Sequence, residues 1–446
     1  MTTDVPTPSA INRRTLLAGL AGTLLAPAGA AAQPATGGRA TALQLRARPA
    51  TRVLKPGSLP SEFWALEPAD GQGMPTLRRG DTLAVSFRNE LPVPAALNWY
   101  GLDGQPAAEP LLARAPVAPG ATDQVAVTLP HAGTLLCEAR LLGDGQTRAA
   151  GALAVNVGTD DGLAADLDET WLIEDARLRS DGGTAAPGVA APEAAPLYTL
   201  NGEPSRAITL RPRQRLRIRF INGCQRAAIS LKIENHDVRV MAIDGQPAEP
   251  FAAREGQLIM APGTRIDALI DAGAAGATSR VLLFDGAAVQ PIGEFATSGD
   301  PARTAPLPPP PALPSNGLPD RIDLKTALRA DLVLDRAAGP AGGWVPPLTF
   351  NASAAPAFRV RRNRAVVIAL ANRAATAVTF HLHGHHMRLL DRLDDGWKPF
   401  WLDTLVVGPG QTQRVAFKAE TAGPWLMESM ATDWSAPRLI RHYVVE

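Results

Sequence analysis

The feature that most constrains this chain is a phrase that it repeats three times. Each copy has an arginine lead, a run with apolar residues at alternate positions and a closing asparagine: Arg79 to Asn89, Arg213 to Asn222 and Arg361 to Asn372. In the second copy Leu216, Ile218 and Phe220 mark one face, and Arg215, Arg217 and Arg219 mark the other. Alternation at period two sends successive side chains to opposite faces, which predicts strands with one face buried and one solvated. A second element recurs in step with the first, a Pro-Gly pair followed by another strand-like run: Pro119-Gly120, Pro262-Gly263 and Pro409-Gly410. The copies lie about 140 residues apart, close to one domain per copy. Helical periods are few, and the 41 prolines and 40 glycines suit a chain of many turns. The expectation is an all-β protein of three Greek-key β-sandwich domains, near residues 40–158, 165–300 and 318–446. Between the last two, residues 301–317 read as a stiff linker, because the run Pro306 to Pro314 cannot pair inside a sheet.

The first 32 residues read as an export signal. Arg13-Arg14 precedes a short apolar run, Leu16 to Leu25, and a small-residue stretch fit for cleavage near Ala30 to Ala32. That run is well below the ~20 residues needed to span a bilayer, and no later segment reaches that length. Asn12-Arg-Arg-x-Leu-Leu resembles the twin-arginine signal that carries folded proteins to the bacterial periplasm. Removing a segment with Arg13, Arg14 and Asp4 leaves the two charge signs equal in number. A neutral chain lacks the basic face a nucleic-acid binder needs to displace counterions. Two cysteines, Cys137 and Cys224, are too few for a disulfide scaffold or a cysteine zinc site. An oxidising compartment would permit a bridge between them, but sequence gives no distance.

Four of the seven histidines fall in Phe380-His-Leu-His-Gly-His-His386. On a strand His381 and His383 share a face, as a metal pair would, although spacing alone leaves a polar strand end equally open. His385 and His386 follow a glycine and read as a solvated turn. His131, His236 and His442 are isolated, and the first two, in a turn and between two strands, read as structural. This stretch and its surroundings resemble the multicopper oxidase family of three cupredoxin domains. The resemblance rests on Arg79-Gly-Asp81, Asn98-Trp-Tyr-Gly101, Leu200-Asn-Gly202, Ile243-Asp-Gly-Gln-Pro247, Ala261-Pro-Gly-Thr-Arg265, His381-Leu-His-Gly-His385 and Gly423-Pro-Trp425. It implies cupredoxin-like sandwiches, with the first and third domains meeting at the metal-bearing strands.

It also implies a set of copper ligands, and most are replaced. The trinuclear cluster takes a His-x-His pair from each of four segments. Those positions fall here on Asn98 and Tyr100, Glu138 and Arg140, His381 and His383, and Glu428 and Met430, so two of eight ligands remain. The blue-copper positions fall on Val378, Ser429, Trp434 and Leu439, and no thiolate remains to make that site redox-active. The expected catalytic set is therefore empty and no cofactor is expected. His381 and His383, with Glu138 and Glu428, are the groups that could take residual copper or another divalent metal. Against that, Arg140 in the same pocket repels a cation at short range, and its pairing with a glutamate would give a polar interface instead. Trp99, Trp425 and Trp434 are expected to fill core space. The functional expectation is an exported structural or scaffolding protein of the envelope or division machinery with periplasmic protein partners. The alternative is a metal-binding protein or oxidoreductase using His381 and His383.

Overall fold

A computed structural model describes residues 38–54, 60–71, 73–143, 151–334, 343–391 and 396–446. The export-signal reading of residues 1–32 lies outside them. The described chain is built almost wholly of strands, with three short 3-10 turns, and none of its helices is long and apolar enough to cross a membrane. Six sheets stack as three pairs, and each pair encloses its own core. Around Phe87, Trp99 and Leu135 a sheet carrying Ala40–Arg52 and Thr82–Asn89 faces one carrying Ala95–Tyr100 and Gly133–Leu141. Trp171, Ile218 and Phe220 centre the second core, and Ile368, Phe380, Trp425 and Tyr443 the third.

The two repeated sequence elements turn out to pair with each other. In every copy the asparagine-ended strand runs parallel to the strand that opens its unit and antiparallel to the strand after Pro-Gly. Thus Thr82–Asn89 pairs with Thr122–Thr128, Arg215–Asn222 with Arg265–Asp271 and Ala365–Asn372 with Thr412–Lys418. The asparagines close the junction. Asn89, Asn222 and Asn372 are fully buried, and their backbone N–H groups donate to Ala121, Thr264 and Gln411, one residue beyond each Pro-Gly. Each side-chain amide donates to two carbonyls and accepts one backbone N–H; for Asn372 these are Thr376 O at 2.9 Å, Val407 O at 2.8 Å and Ala374 N at 2.8 Å. Gly120, Gly263 and Gly410 all sit at positive φ, which turns the chain back at little steric cost. Replacing Asn372 by alanine strands two buried carbonyls and is expected to cost about 2–3 kcal/mol, measurable by urea unfolding.

One face of the central strands departs from expectation. Leu216, Ile218 and Phe220 are core as read, but the opposite arginines are not solvated. Arg215 pairs with Asp271, Arg217 with Asp161 and Asp267, and Arg219 with Asp168 and Asp267. Arg215 also donates to Pro308 O in the proline-rich segment. That segment forms no strand and is pinned elsewhere too, because buried Asn316 bonds to Ala132, Gly245 O and Gln246. Both cysteines are free and buried, Cys137 in the first core and Cys224 in the second.

Candidate functional site

Strand register assembles the candidate residues before any tertiary packing is considered. Asn98 lies opposite Glu138, His381 opposite Glu428, and Met430 opposite Arg438. Packing of the first unit against the third then joins the two halves through Arg140. Its guanidinium, 4% exposed at the side chain, contacts a carboxylate oxygen of both Glu138 and Glu428 and donates to the Tyr100 hydroxyl at 3.2 Å. Arg438 reaches Glu138 at 2.9 Å and Glu428 at 3.8 Å. His383 bridges two carboxylates, Nδ1 to Glu109 at 2.9 Å and Nε2 to Glu428 at 2.7 Å. Three cations thus face three carboxylates in a buried cluster. Arg438 and Glu138, in direct contact here, lie 300 residues apart in the chain.

Protonation follows from these partners. Burial alone would lower the His383 pKa, but Glu109 and Glu428 outweigh it and raise it to about 9. An imidazolium carries no free lone pair for a metal. Burial likewise disfavours ionised Glu428 and Glu138, and the facing cations together outweigh it: Arg140 and Arg438 for both, with His383 added for Glu428. Glu138 is held at about 2 and Glu428 well below its usual range. His381 is the opposite case: burial brings it to about 3, so it is neutral. Thr404 donates its hydroxyl to Asp403 at 2.8 Å and therefore accepts from His381 Nδ1 at 3.0 Å. This assigns the proton to Nδ1 and leaves Nε2 bare, and Nε2 has no hydrogen-bond partner among the described residues. The His381 ring packs against Tyr100, with centroids 4.2 Å apart.

His385 and His386 correct the reading of a solvated turn, since both rings are buried. Gly384, at φ +73°, folds the chain so closely onto Trp425 that a Cβ there would lie 2.1 Å from the indole. His385 Nδ1 donates to the Tyr443 hydroxyl at 2.8 Å, and Tyr443 donates to His383 O. His386 donates to Asp103 at 2.6 Å and to Asp244 O at 2.9 Å. The four histidines of one short motif thus reach the first, second and third units. Beside them Arg265 forks onto Asp403 with two 2.9 Å bonds, joining the second unit to the third.

At the positions where the resemblance puts the blue-copper ligands, Val378 and Leu439 are part of the third core and Ser429 is buried. Trp434 donates to Ala186 O at 2.9 Å and lies under the Arg177 guanidinium. Trp99 and Trp425 are core, as expected. Glu109, Asp103, Asp403 and Arg438 were not singled out from sequence. Arg438 is buried at the start of the strand Arg438–Val445, but that strand also carries Arg441 and His442, so its charge was no distinctive signal. Among the described residues no three His, Cys, Asp or Glu side chains are arranged to hold a metal.

Two models of multicopper oxidases match residues 173–280 and 326–446, together just over half of the chain. The chain belongs to the multicopper oxidase family. Multicopper oxidase MmcO of Mycobacterium tuberculosis is 26% identical over 255 residues, covering 52% of this chain and 47% of that protein. The match therefore spans about half the length of that relative. Among solved structures, a multi-copper oxidase from Pseudomonas thermotolerans is similar, with a TM-score of 0.78 at 22% identity over 92% of this chain and all of that one. McoA, a multicopper oxidase from Aquifex aeolicus, gives a TM-score of 0.73 at 18% identity, over 91% of this chain and 96% of that one. At such identities these likenesses establish the fold alone, the β-sandwiches read from the repeats in the cupredoxin-like form that the resemblance implied. This member of the multicopper oxidase family sets charged side chains where the resemblance puts cluster histidines.

Proposed function

We propose that this protein works without copper, as an exported structural or scaffolding component of the bacterial envelope or division machinery, similar in kind to the cell-division protein FtsP. The observation that carries the reading is Arg140. Its guanidinium stands between Glu138 and Glu428, and all three occupy positions that bear cluster histidines in the resemblance. A copper cluster does not fit this donor set. The carboxylates are engaged by Arg140 and Arg438, His383 holds a proton on each nitrogen, and a cation entering beside two guanidiniums meets strong repulsion. The twin-arginine motif supports a periplasmic location. A sandwich fold retained with such a pocket supports a task for its surface.

The test is metal analysis, visible absorption and oxygen uptake of the exported protein, before and after copper loading. The expected result is no stoichiometric copper, no intense blue band and no phenol oxidase activity. Replacing both His381 and His383 is expected to leave complementation of a deletion intact once expression is matched. A folded, abundant double variant that fails to complement would overturn the scaffold reading. One observation favours a second reading, a residual metal site: the bare Nε2 of His381. It predicts metal uptake that His381→Ala abolishes and His383→Ala does not.

A further inference from the structure

The second unit presents an apolar band that no core accounts for. In its five-stranded sheet Ile259, Ser230, Phe284 and Val289 are direct cross-strand partners, so they form one row on one face. Ile259 is 73%, Val289 63% and Phe284 43% exposed. The next row on the same face is Gln257, Lys232, Leu282 and Pro291. The opposite face is core, with Leu231, Leu258, Val281 and Leu283 all buried. At the usual strand spacing the two rows cover a patch about 14 Å across. Exposed apolar residues are ordinary when scattered, but in register over four strands they make a contiguous patch of the kind that marks an interface.

The one charge in these rows, at the edge of the band, says what covers it. Lys232 is the one ion in these two rows, and it has no ion-pair partner among the described residues. Glu234, whose charge it feels, is committed to Arg280 through both oxygens, at 2.9 and 2.8 Å. Covering the band therefore buries an ammonium, which is costly unless the incoming surface brings a carboxylate. We infer that this face docks a partner protein segment that presents apolar side chains around a single acidic residue. The inference rests on the surface role proposed above and names the surface.

The test places a photo-cross-linking p-benzoylphenylalanine at Gln257, exposed and beside Lys232 in the second row, in the full chain exported by its own host. The expected product is a different protein whose cross-linked peptide carries an Asp or Glu among apolar residues. Lys232→Glu and Ile259→Arg should each cut the yield at least tenfold, and exchange of the partner's acid for lysine should restore it in the Lys232→Glu background. All these positions are on the surface, so unchanged thermal unfolding will show that the variants are folded. Products containing only this chain, yields indifferent to Lys232→Glu, or no product from folded exported protein would each overturn the inference. A protein that proves copper-free yet gives no cross-link sinks this inference alone, whereas a blue, oxidase-active protein sinks the reading beneath it.

Discussion

Arg140→Met is expected to destabilise the protein by about 3–5 kcal/mol, the usual cost of leaving a buried charge without its partner. The size follows from what remains. Glu138 and Glu428 would then share only Arg438 and His383, with Glu109 competing for His383. The cluster would hold three carboxylates against two cations, and Glu138 and Glu428 already repel each other. Removing Arg140 together with Glu428, by Arg140→Met and Glu428→Met, should cost far less than the sum of the two single changes. The double variant keeps two neutral pairs, Arg438 with Glu138 and His383 with Glu109, and apolar groups of similar bulk replace the deleted charges. A double-mutant cycle by urea unfolding measures this, with a coupling of at least about 2 kcal/mol expected. Additive single effects would mean that the six groups do not act as one unit.

The second large effect is a stability maximum near pH 6.5 that falls on both sides, because four histidines of one motif are split by their partners. His383 and His386 are raised to about 9. For each, burial works against the charge and is outweighed by a carboxylate, Glu109 with Glu428 in the first case and Asp103 in the second. Raised groups contribute stability that is complete below the unfolded value of about 6.5 and is lost as pH rises through about 9. Burial lowers His381 to about 3 and His385 to about 4. Their contribution is complete above about 6.5 and is lost as pH falls toward those values. Each limb is worth on the order of 3 kcal/mol per histidine. Urea unfolding at pH 4.5, 6.5 and 9.5 checks the shape. His386→Gln should lower stability at pH 6.5 and remove roughly half of the alkaline slope while leaving the acid limb. An alkaline slope unchanged by that substitution would refute the assignment.

Sequence by itself determined the strands, their threefold repetition and the junction at which they turn. Period-two alternation is a local property, and Asn89, Asn222 and Asn372 act within their own repeats, their side-chain amides bonding carbonyls no more than 38 residues away. The expectation that most cluster-ligand positions carry other residues was also a sequence reading, because the resemblance needs only residue identity at its motifs. So was the shared face of His381 and His383, which strand pleating dictates. What sequence left open is who meets whom across the units. Nothing near Arg140 in the chain announces Glu428, 288 residues on, and nothing near His383 announces Glu109. Those pairings arise only when the first sandwich docks on the third. The protonation of the histidines was hidden for the same reason. His385 and His386 are adjacent in sequence, yet one faces Tyr443 and is neutral while the other faces Asp103 and is charged. The arginine face of Arg215–Asn222 looked solvated because alternation reports that two faces differ, not what covers the polar one. Here aspartates and the proline-rich segment cover it. Local periodicity fixes which way a side chain points, and only docking between units fixes the charge and solvent it finds there.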